Sequence, residues 1–247
     1  MKKSSVITVF FFFVLVTFFN IISATAMEID RELYAELVQK GAEKQILTRY
    51  GVPGVMMPLP MGQSLSSLCR DIKRFAGDSY YHYRGTISLF NRLECHAVRG
   101  DKSDLSTNVG LIFIPLNYSI WPKIIPFFLS DLAGHEKFIL IDVGLQCLGL
   151  YEKGRLIHIF PISSGKNGTP TRSFIVLDKE KNHYSSLYGN AWMPFSLRLF
   201  GNYFLHGGIL PGYPASHGCV RADLYEMKVI FDWARVGIPG KIVRTGI

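Results

Sequence analysis

With 247 residues, 48% of them hydrophobic and 19% charged, the chain is too apolar to be disordered throughout and long enough for one large domain or two modest ones. Its net charge of +8 suits an anionic wall or membrane surface. No segment reads as a helix with a basic stripe, so the charge gives no support to a nucleic-acid partner.

At the N-terminus Lys2 and Lys3 precede an apolar run over residues 6–22, and Ala24-Thr25-Ala26 follows at once. A positive end, an apolar middle and a small-residue A-x-A site make residues 1–26 a secretory signal peptide. The run is about 17 residues long, at the lower limit for crossing a bilayer, so an uncleaved membrane anchor is the alternative. Both readings export the remainder to the periplasm or cell envelope, which is a second argument against nucleic acid.

Residues 27–54 read as a helical N-terminal segment. Ile29, Leu33 and Leu37 fall on one face of a helix over 28–45, and the Gly, Pro and Met residues of 50–62 break any regular element after it. Within residues 55–118, GQSLSSLCRDIKRF reads as a turn, an N-cap at Ser64 and an amphipathic helix. GTISLFNRLE is a second short helix and GLIFIPLN a closing strand. Residues 119–136, interrupted by Pro122, Lys123 and Pro126, read as a linker. From 137 to 246 the texture is β: KFILIDVG and CLGLYE are strands, residues 152–155 a hairpin turn into RLIHIFPIS, and SFIVLDKE a further strand. DLYEMKVIFDWARVG is a helix capped by Asp223, and KIVRTGI is a last strand. The fold class is therefore mainly β, a β-sandwich-like domain preceded by a small α+β module.

The cysteines are Cys69, Cys95, Cys147 and Cys219, with no C-x-x-C and no paired H-x-x-x-H of a metal site. Cys147 sits in a strand-like run as a small buried apolar residue. A Cys69–Cys95 bridge in the N-terminal module would leave Cys219 free in an oxidising compartment. Cys219 lies in FLHGGILPGYPASHGCVR, residues 204–221, where glycines and prolines crowd the stretch between two histidines. A thiol is mostly protonated at neutral pH and needs a base within hydrogen-bond reach, which in turn needs an orienting group. Gly218 lets the chain turn so that the N–H groups of Gly218 and Cys219 can face a developing oxyanion. Sequence proximity leaves the base open between His206 and His217. A zinc site from His206, His217 and Cys219 is the contrasting reading, short of a fourth ligand.

SHGCVR with HG upstream resembles the signature of the L,D-transpeptidase catalytic domain, the YkuD family, which remodels bacterial peptidoglycan. ISSGKNGTPTRSFIVLDKEKNHYSS is similar to that family's substrate-side strand and loop, and LHGGILPGYPASHGC to its active-site loop. The likeness spans about residues 137–245. It implies Cys219 as nucleophile, His206 as general base and the Gly207 carbonyl as orienter of the imidazole. It also implies that His217 and Gly218 shape the oxyanion site and that Ser216 and Arg221 support the pocket.

The implied substrate is peptidoglycan. Cys219 forms a thioester with a stem tetrapeptide, and an amine of a second stem takes the acyl group to give a 3→3 cross-link. A lipoprotein amine is another acceptor, water would make the enzyme an L,D-carboxypeptidase, and neither a metal nor a cofactor is required.

The strand–helix–helix–strand order of residues 55–118 resembles a LysM module, which binds GlcNAc-containing glycan strands. Gly62-Gln63-Ser64-Leu65-Ser66, Ser88-Leu89-Phe90-Asn91 and residues 110–115 carry that likeness. A spacer packed on the next domain is the alternative, and a non-catalytic peptidoglycan-binding protein is the contrasting function. Two departures stand out: Thr169-Pro170-Thr171-Arg172 places arginine where the family pattern has glycine, and Ala222-Asp223 replaces a large apolar residue and proline. His158 and His183 read as ordinary, and Trp192, Met193, Pro194 and Phe195 as either cleft wall or core.

Overall fold

The computed structural model describes residues 28–76, 80–94, 96–100, 106–118 and 124–245. The expected signal segment and Cys95, and with Cys95 the expected bridge to Cys69, lie outside them. Asp30 caps α1 (Arg31–Gln39) by accepting the Leu33 N–H at 2.9 Å. The helix buries Leu33 and Leu37 and is over before Gly41, which takes φ +97°. It is shorter than the 28–45 span that the apolar spacing suggests.

The stretch expected to hold no regular element carries an antiparallel hairpin instead. β1 (Leu47–Arg49) turns through Tyr50 and Gly51, both at positive φ, into β2 (Val52–Pro58). Two helices follow. α2 (Leu65–Arg70) is capped by Ser64, whose hydroxyl oxygen accepts the Ser67 N–H at 3.2 Å. α3 (Tyr80–Asn91) starts before the Gly85 expected from the sequence. A short parallel pair, β3 (Val98–Arg99) and β4 (Ser106–Thr107), precedes β5 (Leu111–Pro115), which pairs antiparallel with β2. The Asn91 amide fastens α3 to β5, donating to the Phe113 carbonyl at 2.8 Å and accepting the Phe113 N–H at 2.7 Å. Leu33, Leu37, Val55, Leu65, Phe75, Ile87, Ile112 and Ile114 share the core of this domain.

The C-terminal domain is built on two sheets. β6 (Phe138–Asp142), β7 (Cys147–Glu152), β8 (Arg155–Pro161), β9 (Ser173–Ile175) and β14 (Pro239–Val243) form one sheet, in the order β8-β7-β6-β14-β9. β10 (Asp178–Tyr184), β11 (Trp192–Phe200), β12 (Tyr203–Gly207) and β13 (Val220–Ala222) form the second in chain order. One buried cluster joins Ile139, Ile141, Leu148 and Leu150 of the first sheet to Leu197, Leu199, Leu205 and Val220 of the second, with Met227 and Ile230 of α4 (Leu224–Trp233). SFIVLDKE, expected as one strand, is β9 and the start of β10 in different sheets. Val176 donates its N–H to the Ile238 carbonyl and Leu177 donates to Arg198, so two residues hand the chain from sheet to sheet.

The described part of the expected linker lies along β7 and β8. Tyr151 donates its hydroxyl to the Pro126 carbonyl at 2.7 Å, and Leu129 N–H donates to the Gly154 carbonyl at 2.9 Å. Ile124 and Ile125 are buried with Phe138 and Tyr151, and Leu89 of α3 joins the same cluster, so the two domains share apolar contacts. No helix among the described residues is long and apolar enough to cross a membrane.

Leu150 is fully buried in the cluster between the sheets. Leu150→Ala should lower unfolding free energy by about 2–5 kcal/mol, read as a lower urea midpoint by circular dichroism. A midpoint unchanged from the parent would show that this cluster does not carry the fold.

Candidate active site

The site starts from one strand pair. β12 and β13 run parallel, with Leu205 opposite Val220, His206 opposite Arg221 and Gly207 opposite Ala222. Paired residues share a face and alternate residues along a strand point the same way. His206 and Arg221 therefore project to one side, and Cys219 sits in the bend just before β13 begins. Over that face lies a cleft of about 1210 Å³, and His206, Gly207, Ser216, His217, Gly218, Cys219 and Arg221 all line it.

His206 is 6% exposed, and its Nδ1 lies 2.8 Å from the Gly207 carbonyl oxygen. A carbonyl only accepts, so Nδ1 holds the proton and Nε2 is left with its lone pair. Burial drives the imidazole pKa down to about 4 against the pull of the Gly207 bond, and the charges of Arg221 and His183 act with burial. Cys219 is partly exposed, and its thiol donates to the Asn202 carbonyl at 3.7 Å rather than to the imidazole. Burial raises the thiol's pKa, opposed by a backbone hydrogen bond from Phe204 and by Arg221. Both shifts favour the uncharged form, so the resting groups are a neutral thiol and a neutral imidazole.

The turn around the thiol is held from both sides. Ser216 donates its hydroxyl to the Cys219 carbonyl at 2.5 Å and accepts the Gly218 N–H at 3.1 Å. Thr169 donates to the Gly218 carbonyl at 2.7 Å and accepts the Gly165 N–H at 3.0 Å. The Gly218 N–H, expected to face an oxyanion, is engaged by Ser216 and can serve only as a shared donor. His217 is exposed and stacks on Tyr188 with ring centroids 4.6 Å apart. Of the two histidines, only His206 is both buried and fixed in a basic tautomer.

Sequence reasoning passed over Asn202, named Thr169 only as part of a loop and read His183 as ordinary. His183 stacks on Phe204 at 4.6 Å and lies 2.6 Å from Glu180, close enough for its charge to be felt at His206. These residues reach the site only through sheet pairing and loop return, for which no local pattern exists. Glu94 and His96 of the N-terminal domain also line the cleft. Arg172 places its guanidinium over the Phe200 ring at 4.7 Å and is exposed, outside the cleft lining. It is not among the positive-φ residues, so the loop accommodates arginine without needing glycine there. Ala222 is buried in the core, and Asp223 lines the cleft while accepting the Tyr225 N–H at 2.9 Å. Trp192, Met193 and Pro194 form cleft wall, whereas Phe195 packs on the core and Phe231. Cys147 is buried, which pushes its thiol up to about 12. Among the described residues no three His, Cys, Asp or Glu side chains come together as metal ligands.

Comparison with known proteins finds similarity in the same part of the chain. Residues 136–242 match the family model of the YkuD L,D-transpeptidase catalytic domain. The YkuD protein of Bacillus licheniformis is 31% identical over 109 residues, covering 40% of this chain and 64% of that protein. The chain thus spans less than two thirds of that relative's length. Among solved structures, the L,D-transpeptidase of Xylanimonas cellulosilytica (residues 123–326) has a TM-score of 0.48 at 23% identity, over 75% of this chain and 98% of that one. The L,D-transpeptidase of Stackebrandtia nassauensis gives 0.42 at 24% identity, over 46% and 59% of the respective chains. The L,D-transpeptidase LdtMt1 in complex with imipenem gives 0.41 at 20% identity, over 44% and 59%.

The buried imidazole makes stability depend on pH. The unfolded chain takes up the His206 proton near 6.5 and the folded protein only near 4, so the unfolded state binds more protons between those values. Stability from this group is complete above pH 6.5 and falls as pH drops toward 4, by about 3 kcal/mol in all. Urea unfolding of the parent and of His206→Asn at pH 7 and pH 4 should show the smaller acid loss in the variant. Equal losses would place the imidazole in water.

Proposed function

We propose that the protein is a cysteine acyltransferase of the cell wall, on the premise that residues 136–242 are an L,D-transpeptidase catalytic domain. The observation that carries this reading is that His206 of β12 and Cys219, just before β13, line one cleft, with the His206 tautomer set by Gly207. In the proposed reaction Cys219 Sγ attacks the carbonyl between the third and fourth residues of a stem tetrapeptide while His206 Nε2 takes the thiol proton. Nε2 returns that proton to the departing D-Ala amine, leaving a thioester on Cys219. An amine of a second stem attacks the thioester and gives its proton to Nε2, and the sulfur leaves and is reprotonated. The product is a 3→3 cross-link.

Gly207 fixes the base, Ser216 and Gly218 hold the turn, and Arg221 sets the charge beside the sulfur. Starting from neutral groups, the proton moves only as the attack proceeds. A lipoprotein amine in place of the second stem would make the enzyme an anchoring one, and water would make it an L,D-carboxypeptidase.

The N-terminal domain belongs to the same proposal as a LysM-like binder of glycan strands. The antiparallel pairing of β2 with β5 around α2 and α3 supports it. In this reading the positive end and apolar run of residues 1–26 act as an export signal, which would put the protein in the periplasm or envelope.

Incubation with disaccharide-tetrapeptide should release D-Ala and yield dimers by mass spectrometry. Imipenem should add its mass to the parent protein and not to Cys219→Ala, and His206→Ala should slow the addition by roughly 10²–10⁴-fold. An unmodified parent that releases no D-Ala would leave the chain a non-catalytic wall-binding protein.

A further inference from the structure

The loop that carries the reactive turn is gripped from outside its own domain. Residues 208–219 connect β12 to β13, and the N-terminal domain touches this connection at several points. Glu94 donates its N–H to the Leu210 carbonyl at 2.7 Å, and Leu93 forms an isolated β-bridge with Pro211. Thr107, 2% exposed at the end of β4, donates its hydroxyl to the Pro211 carbonyl at 2.7 Å. The same hydroxyl oxygen accepts the Val109 N–H at 3.1 Å. Gly212, at φ +99°, packs so closely that an added Cβ would meet Val109 Cγ2 at 2.7 Å. On the other flank Ser163 donates to the Tyr213 carbonyl at 2.8 Å, and Ser216 N–H donates to the Ser164 carbonyl at 3.1 Å.

We infer that the N-terminal domain is a working part of the catalytic cleft, with Thr107 as a positioning residue that fixes the active-site loop through the Pro211 carbonyl. The inference rests on the reading of Cys219 as the reactive group. Proline has no N–H, so its carbonyl is the one backbone group through which Pro211 can be tied by a hydrogen bond. Five residues on, Ser216 holds the Cys219 carbonyl, so the clamp and the nucleophile share one short segment. The clamp also seats Glu94 and His96 in the cleft wall, completing a site that the C-terminal domain does not enclose alone.

Thr107→Val keeps the shape and removes the hydroxyl, while Thr107→Ser keeps the hydroxyl. In the full chain, Thr107→Val should speed deuterium uptake across residues 208–219 and slow Cys219 acylation by imipenem, each by about tenfold, the scale of one lost hydrogen bond to a buried carbonyl. Thr107→Ser should stay within about twofold of the parent in both measurements, the hydroxyl bond being kept. Parent-like uptake and acylation in Thr107→Val would overturn the assignment, as would a Thr107→Ser variant that behaves like Thr107→Val. If Thr107→Val fails to fold, exchange in the parent decides: residues 106–109 and 208–216 opening together support the clamp, and the loop opening alone overturns it. Exchange needs no catalysis, so a parent protein that imipenem does not modify would sink the enzymatic reading while the clamp is still judged.

Discussion

The parallel pairing of β12 with β13 constrains everything around it. A parallel neighbour obliges the chain to travel back along the strand it has just made, usually through a helix of about a dozen residues or more. Here residues 208–219 make the return without a helix, and their prolines and glycines are the residues such a path demands. The register then does the rest. With His206 opposite Arg221, both side chains face the cleft that the sulfur also lines, whereas a slip of one residue would turn one of the two toward the core. A loop with no ladder of its own must be fixed by others, and Ser163, Thr169 and Thr107 each supply a hydroxyl for that purpose.

Burial sets the chemistry as well as the geometry. The surroundings that immobilise His206 also strip it of water, which weakens it as a base until charge develops beside it. The sulfur meets the same penalty with a shift of opposite sign, because its charged form is the deprotonated one. Arg221 enters both balances, opposing protonation of the imidazole and favouring ionisation of the thiol.

What could be read from the sequence divides along physical lines. Ser64, Asp223 and the residues around Cys219 act through local backbone geometry, so a few neighbouring residues are enough to mark them. The hairpin of β1 and β2 is hidden in the sequence because its Gly, Pro and Met residues look like breakers, and pairing with β5 makes them a strand. SFIVLDKE has continuous strand character, and only the separate hydrogen bonds of Val176 and Leu177 divide it between sheets. Asn202, Thr169 and His183 reach the site across long stretches of chain, which no periodicity encodes. The roles assigned to individual catalytic residues come from family resemblance, because spacing alone leaves His206 and His217 equal.

A sulfur that rests protonated has a further consequence outside the reaction. Peroxides and passing disulfides are consumed by thiolates far faster than by thiols. A thiol that burial keeps protonated is slower to oxidise than a thiolate in the same place, so Cys219 should stay reduced longer than a permanently ionised cysteine.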